Sequence, residues 1–582
     1  MSESNACYTA AQIRSLLEAH SAEAPMPEFA GSDPAALAET ATGRGLLEWG
    51  RQAAEQKGIP ETTYTLYRRF RLAGERRPYE RPYFAKRTLL TREVTAAWLG
   101  QDDERIDRIS DLIWSVCEET SWVLPAHERG PDTIDLFAAE TGCDLAHIVT
   151  VLGERLPEEI RARVREEVNR RILERYLEYG RQYWWDGGSN NWTGVCAGSV
   201  GQTFLLLEDD LDRQAQALAL VIEQLDRFIE RGFEEDGGCL EGIGYWNYGL
   251  SQCLGCAEML RARTGGAIDL LEWDKLAGIA RYPLAVYLGN GRYASFSDAH
   301  EDASVRPYIA ARLAERTGAA GLLGLIGSPT DWRFATVLRN LLWWDGQGRE
   351  APPIEDVFLP VSGIARLVGE ADGKPVALVI KAGHNNEPHN QNDVGSFVLC
   401  VDGTVYLCDP GPGLYSKDYF GPKRYENVFA NSYGHSVPLI GGTQQSPGAK
   451  YRGAMEKLGD KSVGVRFEGA YKLPALKEAS RHVTIEEGAV VLDDTFQFDG
   501  DGLEVQEAFV TWLPVEVADG VARVLGDQGT LEIHAEEGAF AAQRLEEACK
   551  ANHKSEVLTR LAVTYPPTRE RTTRFTMVFH AH

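Results

Sequence analysis

The 582-residue chain has no surplus of positive charge: 60 Lys and Arg against 86 Asp and Glu leave it at −26. That balance argues against non-specific nucleic-acid binding, because phosphate contacts depend on an excess of cationic side chains. An anionic small substrate in a locally basic cleft remains compatible with that surface. The opening MSESNACYTAAQIRSLLEAH lacks a basic end followed by an apolar run of roughly 7 to 15 residues. No later stretch offers about 18 uninterrupted apolar residues, so the chain as written is expected to be cytoplasmic, without a membrane span. Dense cysteine spacing is also missing. The 10 Cys scatter from Cys7 to Cys549 and are expected to be reduced and mostly buried. Cys253 and Cys256 form a lone C-x-x-C with no second pair at zinc-ribbon distance, which favours core packing over a metal. Low-complexity tracts and countable repeats are absent as well. What is present is an ordinary globular composition, 43% hydrophobic and 25% charged, long enough at about 150 residues per domain for two to four domains.

The first 345 or so residues read as helices broken by Gly, Pro and Asp. Leu218, Val221, Ile222, Leu225, Phe228 and Ile229 recur at three- and four-residue intervals within 211–231, which places them on one helical face. A second helix begins after Pro157, carries Ile160, Val164, Val168 and Ile172 on one stripe, and stops at Gly180. Residues 134–153 and 303–327 have a similar texture. Serial amphipathic helices without alternating strands favour helix-on-helix packing over 1–345. After Trp344 and the stretch DGQGREAPP the texture changes to β-branched, aromatic, often alternating runs, among them VALVIKAG, SFVLCV, TVYLCD, VVLDDTFQF and TRFTMVFH. Asp402-Gly403 between SFVLCV and TVYLCD is a two-residue hairpin signal. Residues 350–582 are thus expected to form a mostly antiparallel β domain.

Three polar and aromatic segments built around glycine stand out. In WWDGGSNNWTGVCAGSVG, Asn190 and Asn191 precede a helix starting near Thr193, where they serve either as N-cap and turn residues or as amides aimed out of a helix mouth. In DGGCLEGIGYWNYG, Tyr245 and Tyr248 lie three apart and share a helical face. Such aromatics pack in a core or expose a phenol able to donate a proton. The third segment, HNNEPHNQNDVGSFVLCVDGTVYLCDPG continued by KRYENVFANSYGHS, gathers His384, His389, Asp393, Asp409, Tyr425 and His435.

Together these segments resemble the heparinase II/III family of polysaccharide lyases. The family pattern in the helical half is an N-N-W stretch followed by E-G-x-x-Y, and here Tyr245 follows Asn191 by 54 positions. In the β half it is H-x-H-x-D, then D-P-G, then N-S-x-x-H. The chain has His389-Asn390-Gln391-Asn392-Asp393, Asp409-Pro410-Gly411 and Asn431-Ser432-Tyr433-Gly434-His435. The resemblance implies an N-terminal incomplete (α/α) toroid followed by a C-terminal antiparallel β-sandwich, with the active site in the cleft between them. It further implies β-elimination at C4 of a uronic acid, in heparin, heparan sulfate, chondroitin sulfate, hyaluronan or their oligosaccharides.

In such a reaction the substrate carboxylate must be neutralised before the weakly acidic C5 proton can leave. The resemblance gives that role to Asn191, with Asn190 as the fallback. A histidine titrating near 6.5 suits the base and a phenol near 10 the acid, which assigns His389 and Tyr245, with Tyr425 an alternative base. Tyr248, His127 and Trp192 are further candidates for the substrate cleft, with Arg424 and Lys423 supplying local positive charge. Relatives commonly place a zinc-binding histidine where this chain has Gln391. A site of Gln391, Asp409 and His435 would be harder and would suit Mn²⁺, Mg²⁺ or Ca²⁺ better than zinc. The alternative is an empty site with Gln391 hydrogen-bonded. No organic cofactor is expected. Competing readings are an alginate or oligoalginate lyase, a glycoside hydrolase using Asp186 and Glu241, and a catalytically inert carbohydrate-binding protein.

Overall fold

The computed structural model describes residues 8–582; Met1–Cys7, and with them Cys7 and the start of the opening segment, lie outside the described residues. Compactness does not follow the two halves of the sequence. One unit gathers Met1–Phe233, Trp246–Ala277 and Val305–Glu350, and the other Glu234–Tyr245, Gly278–Ser304 and Ala351–His582. Two short segments from the helical part of the sequence thus belong with the strands.

The first unit is an incomplete (α/α) toroid of helices in two layers. Leu136–Leu152 packs on Asn191–Leu207, which packs on Leu211–Arg231. The amphipathic pattern of 211–231 appears as Leu211–Arg231, capped by Asp210, whose carboxylate accepts from the Asp212 and Arg213 amides at 2.9 and 3.2 Å. The stretch after Pro157 is helical from Glu158 to Tyr179, with a π turn at Asn169–Leu173. The helix in 303–327 is shorter than its pattern, Pro307–Thr317, because Gly318 at φ 75° closes it in the left-handed region. Leu136–Leu152 and Asn191–Leu207 are buried on nearly every face, which marks inner-layer helices rather than amphipathic ones. Close packing there depends on small residues: a Cβ on Gly198 would lie 2.5 Å from the Gln252 backbone. Counted through Arg155, the first of these helices is long and apolar enough to cross a membrane, but 83% of its window is buried within the protein. Glu140, Asp144 and His147 along it are buried too, as in a core helix with internal polar partners.

In the second unit the strands are antiparallel. A five-stranded meander runs Val357–Leu359, Ile364–Ala371, Lys374–Lys381, Phe397–Val401 and Thr404–Leu407. Asp402 and Gly403 join its last two strands with φ of 48° and 82°, the left-handed pair that a type I′ turn demands. An eight-stranded sheet is centred on Leu476–Glu486, Ala489–Phe498 and Glu570–Ala581, and a four-stranded sheet on Leu503–Thr511 and Thr559–Thr568. Leu378 and Leu399 of the first sheet, Leu492 and Phe575 of the second, and Phe509 and Leu561 of the third share one core. These sheets therefore form a β-sandwich. The nine described cysteines are free and buried, Cys253 and Cys256 among them.

Candidate active site

His389 and the groups described with it, Asp298, Glu241, Tyr245 and Tyr415, belong to the second unit. Two left-handed residues aim the central pair: Ser297 at φ 62° precedes Asp298, and His389 itself sits at φ 58°. A non-glycine residue pays about 1 to 2 kcal/mol for that conformation, so the surrounding contacts hold it in place. The Ser297 hydroxyl donates to the Leu240 carbonyl at 2.8 Å.

The His389 ring lies between a carboxylate and a phenol. Its Nδ1 is 2.9 Å from Asp298 Oδ2, its Nε2 is 3.7 Å from Glu241 Oε1, and its face stacks on Tyr245 with centroids 4.0 Å apart and planes 15° apart. The Tyr245 hydroxyl is 2.7 Å from that of Tyr415. Asp298 is fully buried and is the hub of the group. Besides His389 it accepts from Tyr415 at 3.1 Å, Tyr419 at 2.8 Å and Arg424 at 3.2 Å. Burial alone pushes its carboxyl up, but the bond from His389 and the charge of Arg424 outweigh burial and hold it below the usual range. Burial first, then the neighbouring Tyr245 hydroxyl and the Asp298 carboxylate, drive Tyr415 far above an ordinary phenol, and burial with Asp298 does the same to Tyr419. Both phenols therefore stay protonated and donate.

The other expected residues are placed as follows. Arg424 spends its charge on Asp298, lies 4.2 Å over the Tyr419 ring and donates to the Asn390 carbonyl at 2.8 Å. Lys423 is exposed, 3.9 Å from Asp418. The Tyr425 hydroxyl accepts from the Asn390 amide at 3.0 Å. Within the first unit, Asn190 is the N-cap of Asn191–Leu207, its Oδ1 accepting from the Trp192 amide at 3.0 Å. Asn191 is the buried first residue of that helix. Trp192 packs on Trp184 at 4.7 Å and edge-on to His127 at 4.9 Å. Both His127 nitrogens are engaged, Nδ1 with Asp135 at 2.9 Å and Nε2 with Arg76 at 3.0 Å. Tyr248 donates to Glu140 at 2.9 Å, inside a buried pair of Glu140 with Arg333. Asp186, the carboxylate that a hydrolase would need, accepts from Gln224 and Arg227, each at 2.7 Å. Asp298, Tyr415 and Tyr419 went unrecognised in the sequence. Their trace is a polar Ser-Asp pair directly after the YASF stretch, and tyrosines following the D-P-G turn.

A second cluster sits at the ends of the five-stranded meander. Asp393, Asp409 and His435 are buried, with one ligand atom from each within 4.8 Å of the others. This set differs from the Gln391, Asp409 and His435 expected from sequence, since Asp393 brings the third ionisable group. His435 Nδ1 is bonded to Asp409 at 3.0 Å, and Lys381 donates to Asp393 Oδ1 at 2.7 Å. Burial pulls the His435 imidazole down, but Asp409 outweighs it and raises it. Gln391 donates to the Ser297 carbonyl at 2.6 Å. The buried atoms Gln391 Oε1, Asp393 Oδ2 and His435 Nε2 have no hydrogen-bond partner. Unsatisfied buried acceptors of this kind fit a missing cation, so the triad is able to hold a metal.

Residues 351–541 match the family model described as Heparinase II/III-like, C-terminal. No curated protein gives a match. Among solved structures the chain is similar to a heparinase III, at TM-score 0.63 and 14% identity over 87% of this chain and 77% of that one. It is also similar to a heparan sulfate lyase from Pedobacter heparinus, at TM-score 0.58 and 12% identity over 98% and 88%. A third likeness is to a chondroitin AC lyase from Streptomyces coelicolor A3 in complex with chondroitin sulphate, at TM-score 0.55 and 13% identity over 97% and 83%. At these identities the likeness is one of fold.

Proposed function

We propose that this chain, whose residues 351–541 form a heparinase II/III-like C-terminal domain, is a polysaccharide lyase that cleaves uronate-containing glycosaminoglycans or their oligosaccharides by β-elimination. The observation that carries this reading is the stacked pair of His389 and Tyr245, centroids 4.0 Å apart, with the imidazole held by a buried carboxylate. Elimination needs one group to take the C5 proton and another to give a proton to the departing C4 oxygen, both near one sugar. His389 Nε2 takes the proton from C5, the C4–O bond breaks as the C4–C5 double bond forms, and Tyr245 protonates the leaving oxygen. Asn191 is assigned the substrate carboxylate, stabilising the enolate-like charge; this assignment rests on the sequence resemblance. The named activities of the similar structures, on heparan sulfate and chondroitin sulfate, favour the same substrate class.

Asp393, Asp409 and His435 are the residues that would hold a divalent cation. Two carboxylates to one imidazole make an oxygen-rich set that favours Mn²⁺, Mg²⁺ or Ca²⁺ over zinc. A cation held there would neutralise the buried charge of Asp393 and Asp409.

A screen of heparin, heparan sulfate, chondroitin sulfates, hyaluronan and alginate tests the reading through the ultraviolet absorbance of an unsaturated uronate end. Absorbance growth with one of the glycosaminoglycans is expected. Growth with alginate alone would move the substrate class, and reducing sugar without absorbance would replace the lyase with a hydrolase.

A further inference from the structure

We infer that Asp298 is the positioning residue of this site, fixing both the tautomer of His389 and the direction of the hydrogen bond between Tyr245 and Tyr415. The inference rests on the lyase reading above and deepens it.

The argument is one of donor counting. An ionised carboxylate only accepts, and Asp298 Oδ2 lies 2.9 Å from His389 Nδ1 and 3.1 Å from the Tyr415 hydroxyl. Nδ1 must therefore carry the hydrogen in the neutral ring. The lone pair falls on Nε2, the nitrogen a base needs. Tyr415 has one hydroxyl hydrogen and directs it to Asp298. In the 2.7 Å contact between the phenols Tyr245 is then the donor and Tyr415 the acceptor. The acid's proton is held on a neighbouring oxygen until a glycosidic oxygen takes it. Once Tyr245 has given that proton away, Tyr415 can turn its own hydrogen from Asp298 to the new phenolate. No proton is created or lost in that turn.

The remaining Asp298 contacts explain why the carboxylate stays ionised where it is fully buried. Tyr419 donates to Oδ1 at 2.8 Å, and Arg424 Nη2 is shared between Oδ1 at 3.2 Å and Oδ2 at 3.4 Å, so Oδ2 accepts from His389, Tyr415 and Arg424. Glu241, 3.7 Å from Nε2, is the other anionic group facing the ring. The two carboxylates bracket the imidazole, one at each nitrogen. A carboxylate at Nδ1 leaves Nε2 as the basic nitrogen, in keeping with the lyase reading of His389 as base and Tyr245 as acid.

The first measurement is the ¹⁵N spectrum of histidine-labelled full-length protein at a pH where the ring is neutral, with His389 identified by its loss in His389→Gln. The Nδ1–H tautomer is expected, and the Nε2–H tautomer would overturn the inference. This readout needs no turnover, so it stands even if no uronate polymer is cleaved, an outcome that would count against the function alone. The second is kinetic. Asp298→Asn is expected to lower kcat by about ten-thousandfold, as a carboxylate-to-amide change behind a catalytic imidazole does, with KM little changed. Tyr415→Phe, which spares the Asp298–His389 bond, should lower kcat roughly tenfold to a hundredfold by taking the Tyr415 oxygen away from the Tyr245 hydroxyl. It should leave the His389 tautomer as in the wild type. Wild-type kcat in Asp298→Asn, or a changed tautomer in Tyr415→Phe, would overturn the inference.

Discussion

His389 and Tyr245 pack face to face as two flat rings, so a substitution that keeps the ring is the one that tests chemistry apart from packing. Tyr245→Phe keeps the ring and its stack and deletes only the hydroxyl. Turnover should fall about 10²- to 10⁴-fold, the range for losing a general acid, with the circular-dichroism spectrum and Tm unchanged. His389→Ala should cost a similar factor in kcat. Near wild-type rates in either variant would remove that residue from the chemistry. The metal cluster gives a prediction independent of activity. Elemental analysis of protein purified without chelators should find about one divalent cation per chain, lost in Asp393→Ala and in His435→Ala. Gln391→His should shift the content toward zinc, since an imidazole is the softer ligand. Metal content unaffected by Asp393→Ala would leave the triad as an ion-pair network. His389, Tyr245, Asp409 and His435 were legible in the sequence because motif spacing carries them. Asp298 and Tyr415 were not, because their partners lie far off in the chain: 91 residues separate Asp298 from His389, and 170 separate Tyr245 from Tyr415. Local pattern holds no information on such pairings. Asp393 was visible in its motif, yet reading ligands by family position directed attention to Gln391 two residues before it.

The helix Leu136–Leu152 shows how an element's setting changes what its residues do. Its apolar repeat reads as an amphipathic helix, but the structure buries its polar residues as well, so Asp144 meets burial instead of water. Burial raises the Asp144 carboxyl to about 7, although it accepts the Ala335 amide at 3.0 Å. An unfolded aspartate titrates near 3.9. Between there and about 7 the folded chain keeps a proton that the unfolded chain has released, so this group's contribution to stability falls as pH rises through that window. Asp144→Asn keeps an oxygen for the Ala335 amide and removes the ionisation. Its Tm should match the wild type near pH 4 and exceed it above pH 7. The corresponding stability gain is on the order of 4 kcal/mol, since each tenfold change in proton affinity is worth about 1.4 kcal/mol. Equal Tm differences at both pH values would show that Asp144 is not titrating in this window. The strand elements were more legible than this helix, because alternation and the Asp402-Gly403 turn are local signals with one structural solution. Whether an apolar helix lies in an inner or outer layer depends on what covers its second face, and a single helix does not carry that.

At the scale of the whole molecule the change of texture near residue 345 was enough to separate toroid from sandwich, because hydrophobic period differs between helix and strand. Glu234–Tyr245 and Gly278–Ser304 escape that rule: they lie within helical sequence yet cluster with the sandwich unit, which gives that unit both Tyr245 and Asp298. Net charge is the other whole-chain property, and it opposes the proposed substrate. A chain at −26 repels a uronate polymer at a distance. The local cations expected to offset this are largely committed, Arg424 to Asp298 at 3.2 Å and Lys423 facing Asp418 at 3.9 Å. Screening should then help binding instead of hindering it. The Debye length shrinks from about 30 Å at 0.01 M salt to about 10 Å at 0.1 M, which removes long-range repulsion while leaving contacts inside the site intact. Accordingly kcat/KM for a long glycosaminoglycan should rise roughly two- to tenfold over that interval, and by much less for a disaccharide or tetrasaccharide, which carries few charges. A steady fall in kcat/KM with added salt would mean instead that a cationic surface steers the polymer in, and that the acidic surplus lies away from the path the substrate takes.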